Sequence, residues 1–148
     1  MPIIYIDADA CPVKDETYRV AGRYGVPVVV VANGTMWVPA GVQMVVRAGF
    51  GAADDYIAEV IVKSDIAITA DIPLAARCLE KGGRVIDPRG RPLTENDIGA
   101  ALAMRELNEE RRQYGERAGG PPPMTPRDRS RFLAKLDEVV NAVIRGRS

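Results

Sequence analysis

The sequence contains no histidine among its 148 residues, and this absence excludes several kinds of active site. Ser-His and Cys-His dyads, zinc sites that require imidazole and the ordinary neutral-pH proton shuttle all depend on that side chain. Any catalysis by this chain must therefore use carboxylates, a bound metal, lysine or thiol.

Cysteine is scarce as well, since the chain has only Cys11 and Cys78. They fall in different predicted elements without the spacing of a metal motif, so we expect two free thiols in a reducing compartment. No apolar run approaches the roughly 20 residues that cross a bilayer, and the first residues form an apolar strand rather than a basic leader. We therefore expect a cytoplasmic protein that does not bind membranes.

The chain also lacks an excess of either charge, because its 20 Lys and Arg balance its 20 Asp and Glu. The distribution is uneven, and residues 105–148 carry 10 basic groups against 7 acidic ones. This asymmetry suits a polyanionic partner that lies across an acidic site, although solvated helix faces produce differences of the same size.

Short apolar runs are what the sequence does contain, and five of them predict β-strands, at residues 3–6, 27–32, 42–47, 66–69 and 84–86. Their continuous apolar character is typical of strands covered on both faces. Helical patterns at 13–24, 52–62 and 72–81 alternate with most of these strands. We predict an α/β fold, a three-layer α/β/α sandwich around a five-stranded parallel sheet, followed by C-terminal helices.

The C-terminal part is predicted to be helical and divided by a hinge. A sequence resembling a capping box begins at Thr94 and opens a helix to about Gln113, and the run GGPPP at 119–123 then breaks the chain. We place the main domain at 1–118 and the hinge with the last helix at 119–148. Thr125 would cap that helix, and its apolar stripe must pack on the same domain or on a partner, such as a second copy in a homo-oligomer.

Aspartates occur where the predicted sheet would bring them together. Asp7 and Asp9 close the first apolar run, Asp71 follows the fourth, and Asp54 opens a helix. The carboxyl ends of parallel strands share one edge of a sheet, which is where open α/β folds build their sites. Oxygen-only clusters suit Mg²⁺ or Mn²⁺ and are commonly used in phosphoryl chemistry.

Helical geometry distinguishes Asp54 from its neighbour Asp55. At about 100° per residue, Asp54 lies in line with the apolar Ile57 and Ile61, whereas Asp55 projects near Glu59 on the opposite side. Asp54 is therefore the better candidate for the site. The alternative is that both acidic groups simply complement the helix dipole.

Each of the other acidic-site candidates also has a structural interpretation. Asp7 could bond the following turn, Asp9 could either extend the strand or cap the helix after Pro12, and Asp71 could cap the next helix. Thr69 either directs its hydroxyl into the pocket or is an ordinary strand residue. Cys11 precedes a helix, where a thiolate is favoured, but it has no base, and a small buried thiol is the simpler interpretation.

Four residues are candidate contacts to nucleic acid, namely Asn33, Arg89, Arg91 and Arg129. Asn33 follows the second strand, where it is also a good turn residue. Arg129 lies with Arg127 and Arg131 in a first helical turn, where positive charge opposes the dipole. Together with three arginines before the hinge, Arg111, Arg112 and Arg117, they could form a phosphate-binding flank or an ordinary solvated surface.

The chain resembles the bacterial YaiI/YqxD family, a branch of the PIN-like superfamily of metal-dependent ribonucleases. The residues that carry the resemblance are DADACP at 7–12, VAN at 31–33, AD at 53–54, ITADIPLA at 68–75, PRG at 88–90, GGP at 119–121 and DR at 128–129 followed by Phe132. They span nearly the whole chain.

The resemblance implies a PIN-like sheet in the order 3-2-1-4-5 and a site that binds Mg²⁺ or Mn²⁺ through Asp7, Asp54 and Asp71, beside Thr69. It implies RNA as the partner, with Asp9 orienting a water or a second metal. Family members often carry Asp where this chain has Gly51. A fourth ligand is therefore missing unless Asp55 replaces it.

Three functions are compatible with these residues. The first is a divalent-metal-dependent ribonuclease, and the second is a non-catalytic module that binds nucleic acid or protein through a vestigial acidic site. An aspartyl-phosphate phosphohydrolase also begins with Asp-x-Asp after a first strand. That class places its metal-binding acidic pair after the threonine, whereas Asp54 and Asp55 precede Thr69.

Overall fold

A computed structural model of the chain describes residues 1–113 and 123–146. Residues 119–122 of the predicted hinge at 119–123 lie outside the described residues, as do Arg117 and the side chains of Arg111 and Arg112.

The sheet is formed by six strands, of which the first five match the predicted runs. They are β1 (Ile4–Asp7), β2 (Val28–Ala32), β3 (Gln43–Val46), β4 (Ile66–Ile68), β5 (Arg84–Ile86) and β6 (Pro92–Leu93). Their order is β3-β2-β1-β4-β5-β6, and all pairs are parallel except β5 with β6. The predicted α/β class and the order 3-2-1-4-5 are confirmed, with one short antiparallel strand added at the edge.

The helices also lie where the sequence predicts them. They are α1 (Lys14–Tyr24), α2 (Ala52–Val60), α3 (Ile72–Glu80), α4 (Glu95–Gln113) and α5 (Pro126–Ile144). The link at 33–41 contains no helix, as expected from its glycine and proline residues. Within the described residues, no helix is both long and apolar enough to cross a membrane.

The sheet separates two apolar cores, which explains why its strands are apolar on both faces. Alternate residues of β1 and β2, such as Ile6 and Val30, pack with α1 and α5. Their neighbours, such as Tyr5 and Val31, pack with α2 and α3 on the other face. This alternation along continuously apolar strands gives the three-layer sandwich.

The last helix, α5, packs on the same domain. Its buried residues Phe132, Leu136, Val139 and Val140 belong to the core that also contains β1 and α1. The predicted cap is present, since the Thr125 hydroxyl accepts a hydrogen bond from the Asp128 N–H at 3.1 Å, and the Asp128 carboxylate accepts one from the Thr125 N–H at 3.0 Å. The apolar stripe of α5 is thus buried against the chain's own sheet.

The loop after β5 packs against the first turns of α5. Arg89 forms an ion pair with Asp128 at 2.7 Å. Gly90 has a φ of +86°, and a Cβ atom there would lie 2.7 Å from both the Arg131 carbonyl carbon and the Phe132 nitrogen. Only glycine fits between this loop and the helix backbone, so the position of the loop depends on α5.

Candidate functional site

A cavity of about 470 Å³ lies at the carboxyl edge of the parallel sheet. It is lined by Asp7, Asp9, Cys11, Asn33, Phe50, Gly51, Asp54, Thr69, Ala70, Asp71 and Pro88. The cavity therefore brings together the four candidate aspartates with Thr69 and Asn33. Residues from β1, the ends of β2 and β4, and the first turns of α2 and α3 meet there because parallel strands place their carboxyl ends on one edge.

Thr69 connects two of the aspartates. Its hydroxyl donates a hydrogen bond to Asp7 Oδ2 at 2.8 Å and accepts one from the Asp71 N–H at 3.0 Å. Thr69 itself is buried at the end of β4. It therefore fixes the orientation of the Asp7 carboxylate and leaves Oδ1 of that group without a hydrogen-bond partner among the described residues.

Asp71 caps α3, as one of its two interpretations predicts. Its Oδ1 accepts a hydrogen bond from the Leu74 N–H at 2.9 Å, and the helix has a proline in its first turn. The second carboxylate oxygen has no hydrogen bond from the described part of the chain. Capping thus occupies one oxygen and leaves the other available to a ligand in the cavity.

Asp54 and Asp55 separate as helical geometry predicts. Asp54 lines the cavity, whereas Asp55 accepts a hydrogen bond from the Arg77 guanidinium at 2.7 Å, on the exposed surface of α2 and α3. Asp55 is absent from the cavity lining, so it does not supply the acidic side chain that is missing at position 51.

The cavity carries negative charge, which the nearby charge of Arg77 offsets only in part at Asp54. Partial burial, followed by the charges of Asp7, Asp71 and Asp55, raises the pKa of Asp54 to about 6. Burial also raises the pKa of Asp7, with further contributions from Asp71 and Asp9, against an opposing hydrogen bond from Thr69. Between residues 1–113 and 123–146, no Lys or Arg forms an ion pair with the four aspartates of the cavity.

This charge is expected to make the stability of the fold depend on pH through Asp54. The pKa of Asp54 rises from 3.8 to about 6, so the folded protein binds a proton more tightly than the unfolded chain. The resulting contribution to stability is lost as pH rises from about 4 to about 6. We expect Asp54→Asn to be more stable than the wild type by about 1 kcal/mol, after discounting for solvent screening, at about pH 8.

Urea denaturation at about pH 4 and about pH 8 measures this effect, which should vanish at the lower pH. Asp55→Asn is the matched control, because it removes an exposed ion pair and a charge that raises the pKa of Asp54 less than burial, Asp7 and Asp71 do. It should change the free energy of unfolding by less than about 1 kcal/mol. Equal stability of Asp54→Asn and wild type at the higher pH would contradict the prediction.

Asp9 lines the cavity with Asp7, although it neither extends β1 nor caps α1. It lies in a short 3₁₀ turn, Ala8–Ala10, and so does not extend β1. The N-cap of α1 is Val13, with no side-chain hydrogen bond, so Asp9 does not cap that helix. Instead, its carboxylate oxygens lie 3.3 and 3.4 Å from the Asn33 N–H. This contact joins the turn after β1 to the end of β2 at the mouth of the cavity.

Cys11 is a small buried thiol beside the cavity. It is 6% exposed, and burial raises its pKa above the usual value, while the hydrogen bond with Val13 and the charge of Lys14 oppose this shift. A raised pKa disfavours the thiolate form that a nucleophile requires. The structure thus supports the simpler interpretation of this residue.

The three candidate phosphate-binding arginines all make ion pairs within the chain. Arg89 pairs with Asp128 at 2.7 Å, Arg91 with Asp97 at 2.7 Å and Arg129 with Glu16 at 3.1 Å. Arg89 follows Pro88, which lines the cavity. The pairs of Arg89 and Arg129 are partly buried, and contact of these arginines with nucleic acid stays a prediction.

The donors in the cavity have the chemistry that Mg²⁺ and Mn²⁺ require. The carboxylates of Asp7, Asp54 and Asp71 line it, and a cation would relieve their negative charge. Among the described residues, no three His, Cys, Asp or Glu side chains stand close enough to form a complete metal site. The donor types thus fit a hard divalent ion, with water and phosphate oxygens needed to complete its coordination.

Several lining residues were not identified from the sequence. Ala70, Gly51 and Pro88 present no chemistry that a sequence pattern would reveal. Phe50 does have a signal, because it is an aromatic residue between two glycines directly after a strand. The prediction considered this stretch only for its missing aspartate.

Comparisons with known proteins match almost the whole chain. Residues 5–142 match the family model described as Uncharacterized BCR, YaiI/YqxD family. UPF0178 proteins from Paramagnetospirillum magneticum and Rhodospirillum centenum are each 54% identical to the chain, which they match over 95% and 97% of its length and 95% and 98% of their own. Another, from Rhodopseudomonas palustris strain HaA2, is 50% identical over 97% of the chain and 90% of its own length.

No solved structure matches the chain at a significant level. The matched range includes the segments that form the cavity, namely the ends of β1, β2 and β4 and the start of α2 and α3. The chain belongs to the YaiI/YqxD family.

Proposed function

We propose that this protein is a divalent-metal-dependent ribonuclease with a PIN-like fold. The observation that carries the proposal is one cavity lined by Asp7, Asp9, Asp54 and Asp71, in which burial and then the charges of Asp7 and Asp71 raise the pKa of Asp54 to about 6. Carboxylates gathered without a cation are costly to the fold. A function that supplies a cation explains why they are kept together.

Asp7 and Asp71 would hold the ion, with Asp54 beside them in the cavity, because no three acidic side chains of the described residues stand close enough to bind one ion directly. Mg²⁺ is commonly bound by one or two carboxylates, with water and substrate phosphate oxygens filling the other positions. This mode suits Asp7 and Asp71, each of which uses one oxygen in a hydrogen bond and keeps one free. When bound, such an ion would supply an activated water and stabilise the leaving oxygen of a phosphodiester.

The chain's own groups would orient the reaction. Thr69 holds the Asp7 carboxylate at 2.8 Å and so directs its free oxygen toward the cavity. Asp9 would position the attacking water, which adds to phosphorus as the bond to the leaving oxygen breaks. The two buried free thiols are consistent with the reducing cytoplasm, where RNA is available.

The direct test is cleavage of single-stranded RNA by the purified protein with Mg²⁺ or Mn²⁺, compared with the same reaction in chelator. We expect cleavage only with metal. Asp54→Asn should lower the rate about 100-fold or more, whereas the adjacent Asp55→Asn should stay within about threefold of wild type. Intact RNA in all metal-containing reactions would contradict the proposal.

A non-catalytic binding module is the second candidate, and Gly51 is the observation that favours it. Gly51 lines the cavity where the family resemblance implies an acidic ligand, and Asp55 pairs with Arg77 instead. Titration calorimetry with Mn²⁺ and RNA separates the two functions. RNA binding that neither requires metal nor leads to cleavage would favour the binding module.

A further inference from the structure

Phe50 is a fully exposed aromatic residue in the wall of the cavity. Its relative exposure is 109%, and it lines the cavity with Asp54 and Gly51. The flanking Gly49 and Gly51 have φ values of +112° and +70°, conformations that other residues rarely adopt. The loop thus presents the ring to solvent instead of burying it, which forfeits the stabilisation that burial of an aromatic side chain provides.

A cationic side chain lies in the same loop. Arg47 is exposed, its guanidinium stands 4.7 Å from the centre of the Tyr56 ring, and Tyr56 is two residues from Asp54. The Arg47 N–H donates a hydrogen bond to the Ala32 carbonyl at 2.9 Å. The backbone of Arg47 is therefore next to that of Asn33, which lines the cavity.

An exposed ring and a cation in one loop beside a carboxylate cavity are complementary to a particular ligand. Single-stranded nucleic acid offers base faces for stacking and phosphates for arginine, and duplex bases offer no free face. An apolar partner surface would match Phe50 but not the charged groups on both sides of it. The combination favours an unpaired nucleotide over a second copy of this chain.

We propose that Phe50 stacks on an unpaired base next to the phosphate held in the cavity, while Arg47 contacts the adjoining backbone. This inference rests on the proposed function and specifies its substrate as single-stranded RNA. Phe50 acts as a specificity-determining residue, because it contacts the base and takes no part in breaking the phosphodiester bond.

The test uses a phosphorothioate-linked single-stranded oligoribonucleotide that contains 2-aminopurine, whose fluorescence falls when it stacks. Binding is followed with Mg²⁺ by anisotropy, and stacking is followed by quenching. We expect Phe50→Leu to weaken binding about 5- to 100-fold and to abolish most of the quenching, and Phe50→Trp to keep both. Trp37→Leu is the matched control, since Trp37 is 80% exposed but is not among the cavity-lining residues.

Several results would overturn the inference. The first is a Phe50→Leu variant that binds the oligoribonucleotide as tightly as the wild type does, and the second is a wild type that does not bind it. The third is a Phe50→Leu variant whose affinity for a blunt duplex falls as much as its affinity for the single strand. Self-association of the wild type that Phe50→Leu abolishes without affecting RNA binding would assign Phe50 to a second copy of the chain. Arg47→Gln should weaken the binding of all RNA sequences alike and lower the slope of log affinity against log salt concentration by about one. An unchanged slope would exclude a contact between Arg47 and phosphate.

The readouts also distinguish this inference from the proposed ribonuclease. Binding with quenching but without cleavage of ordinary RNA would contradict the ribonuclease and leave the stacking role intact. The opposite result is cleavage of single-stranded RNA whose rate and preference over duplex are unchanged in Phe50→Leu. It would support the ribonuclease and contradict the stacking role of Phe50.

Discussion

Asp7→Asn is expected to abolish metal-dependent RNA cleavage, with a loss of about 1,000-fold or more in rate. Asparagine has nearly the same shape and keeps an oxygen that accepts the Thr69 hydroxyl, which lies 2.8 Å from Asp7 Oδ2. The substitution removes the negative charge that a divalent ion requires. Initial rates across a range of Mg²⁺ concentrations measure the loss and show whether added metal restores activity.

The folded state should tolerate this substitution. Burial raises the pKa of Asp7, and the charges of Asp71 and Asp9 raise it further, so a neutral side chain relieves repulsion. We expect the Tm of Asp7→Asn to equal or exceed that of the wild type. Asp55→Asn serves as the control of equal charge change outside the cavity. Cleavage by Asp7→Asn within about tenfold of wild type would place the chemistry elsewhere.

Gly90→Ala is expected to lower the free energy of unfolding by about 2 to 4 kcal/mol. The loss has two sources. Gly90 has a φ of +86°, and its new Cβ atom would lie 2.7 Å from the backbone of Arg131 and Phe132. Real Cβ atoms do not approach backbone so closely, so the loop or α5 must shift. Urea denaturation followed by circular dichroism measures the change.

Gly25→Ala separates the two sources. Gly25 also has a positive φ, +66°, but no atom lies within 4 Å of the position of its Cβ. It should therefore lose only about 1 kcal/mol, the cost of the left-handed conformation. If both variants lost the same amount, the contact between Gly90 and α5 would carry no energy. Because Pro88 in the same loop lines the cavity, Gly90→Ala should also disturb the site.

The parallel sheet could be predicted because each strand is a short run of apolar residues buried on both faces. The five predicted runs differ from β1–β5 by one residue at most at either end. The strand β6 has only Pro92 and Leu93. Two residues contain no periodicity, and their strand conformation depends on pairing with β5, so no local pattern could reveal it.

The residues of the candidate site could be predicted where they lie at strand ends or where the turn of a helix sets the direction of the side chain. Asp54 faces the cavity and Asp55 pairs with Arg77, because their directions are set by the local geometry of α2. The contact between Asp9 and the Asn33 N–H was not predictable, since the 3₁₀ turn that positions Asp9 has no clear sequence signal.

The pairing of the arginines depends on tertiary distance and could not be read from the sequence. Arg89 and Asp128 are 39 residues apart, and Arg129 and Glu16 are 113 apart. A sequence pattern shows where positive charge is concentrated but not which carboxylate will be nearby. The same limit applies to the Thr69 hydroxyl, which reaches Asp7 across 62 residues.

The position of α5 has a consequence for how the chain is made. Phe132 and Leu136, near the end of the chain, pack in the same core as Ile4 and Ile6 at its start. During translation, α1 can cover only its own part of that face, and the part covered by α5 stays exposed until α5 has left the ribosome exit tunnel. Contacts of such large sequence separation form slowly and leave apolar surface exposed in the meantime. Nascent chains halted before α5 should therefore be targets for chaperones and proteases.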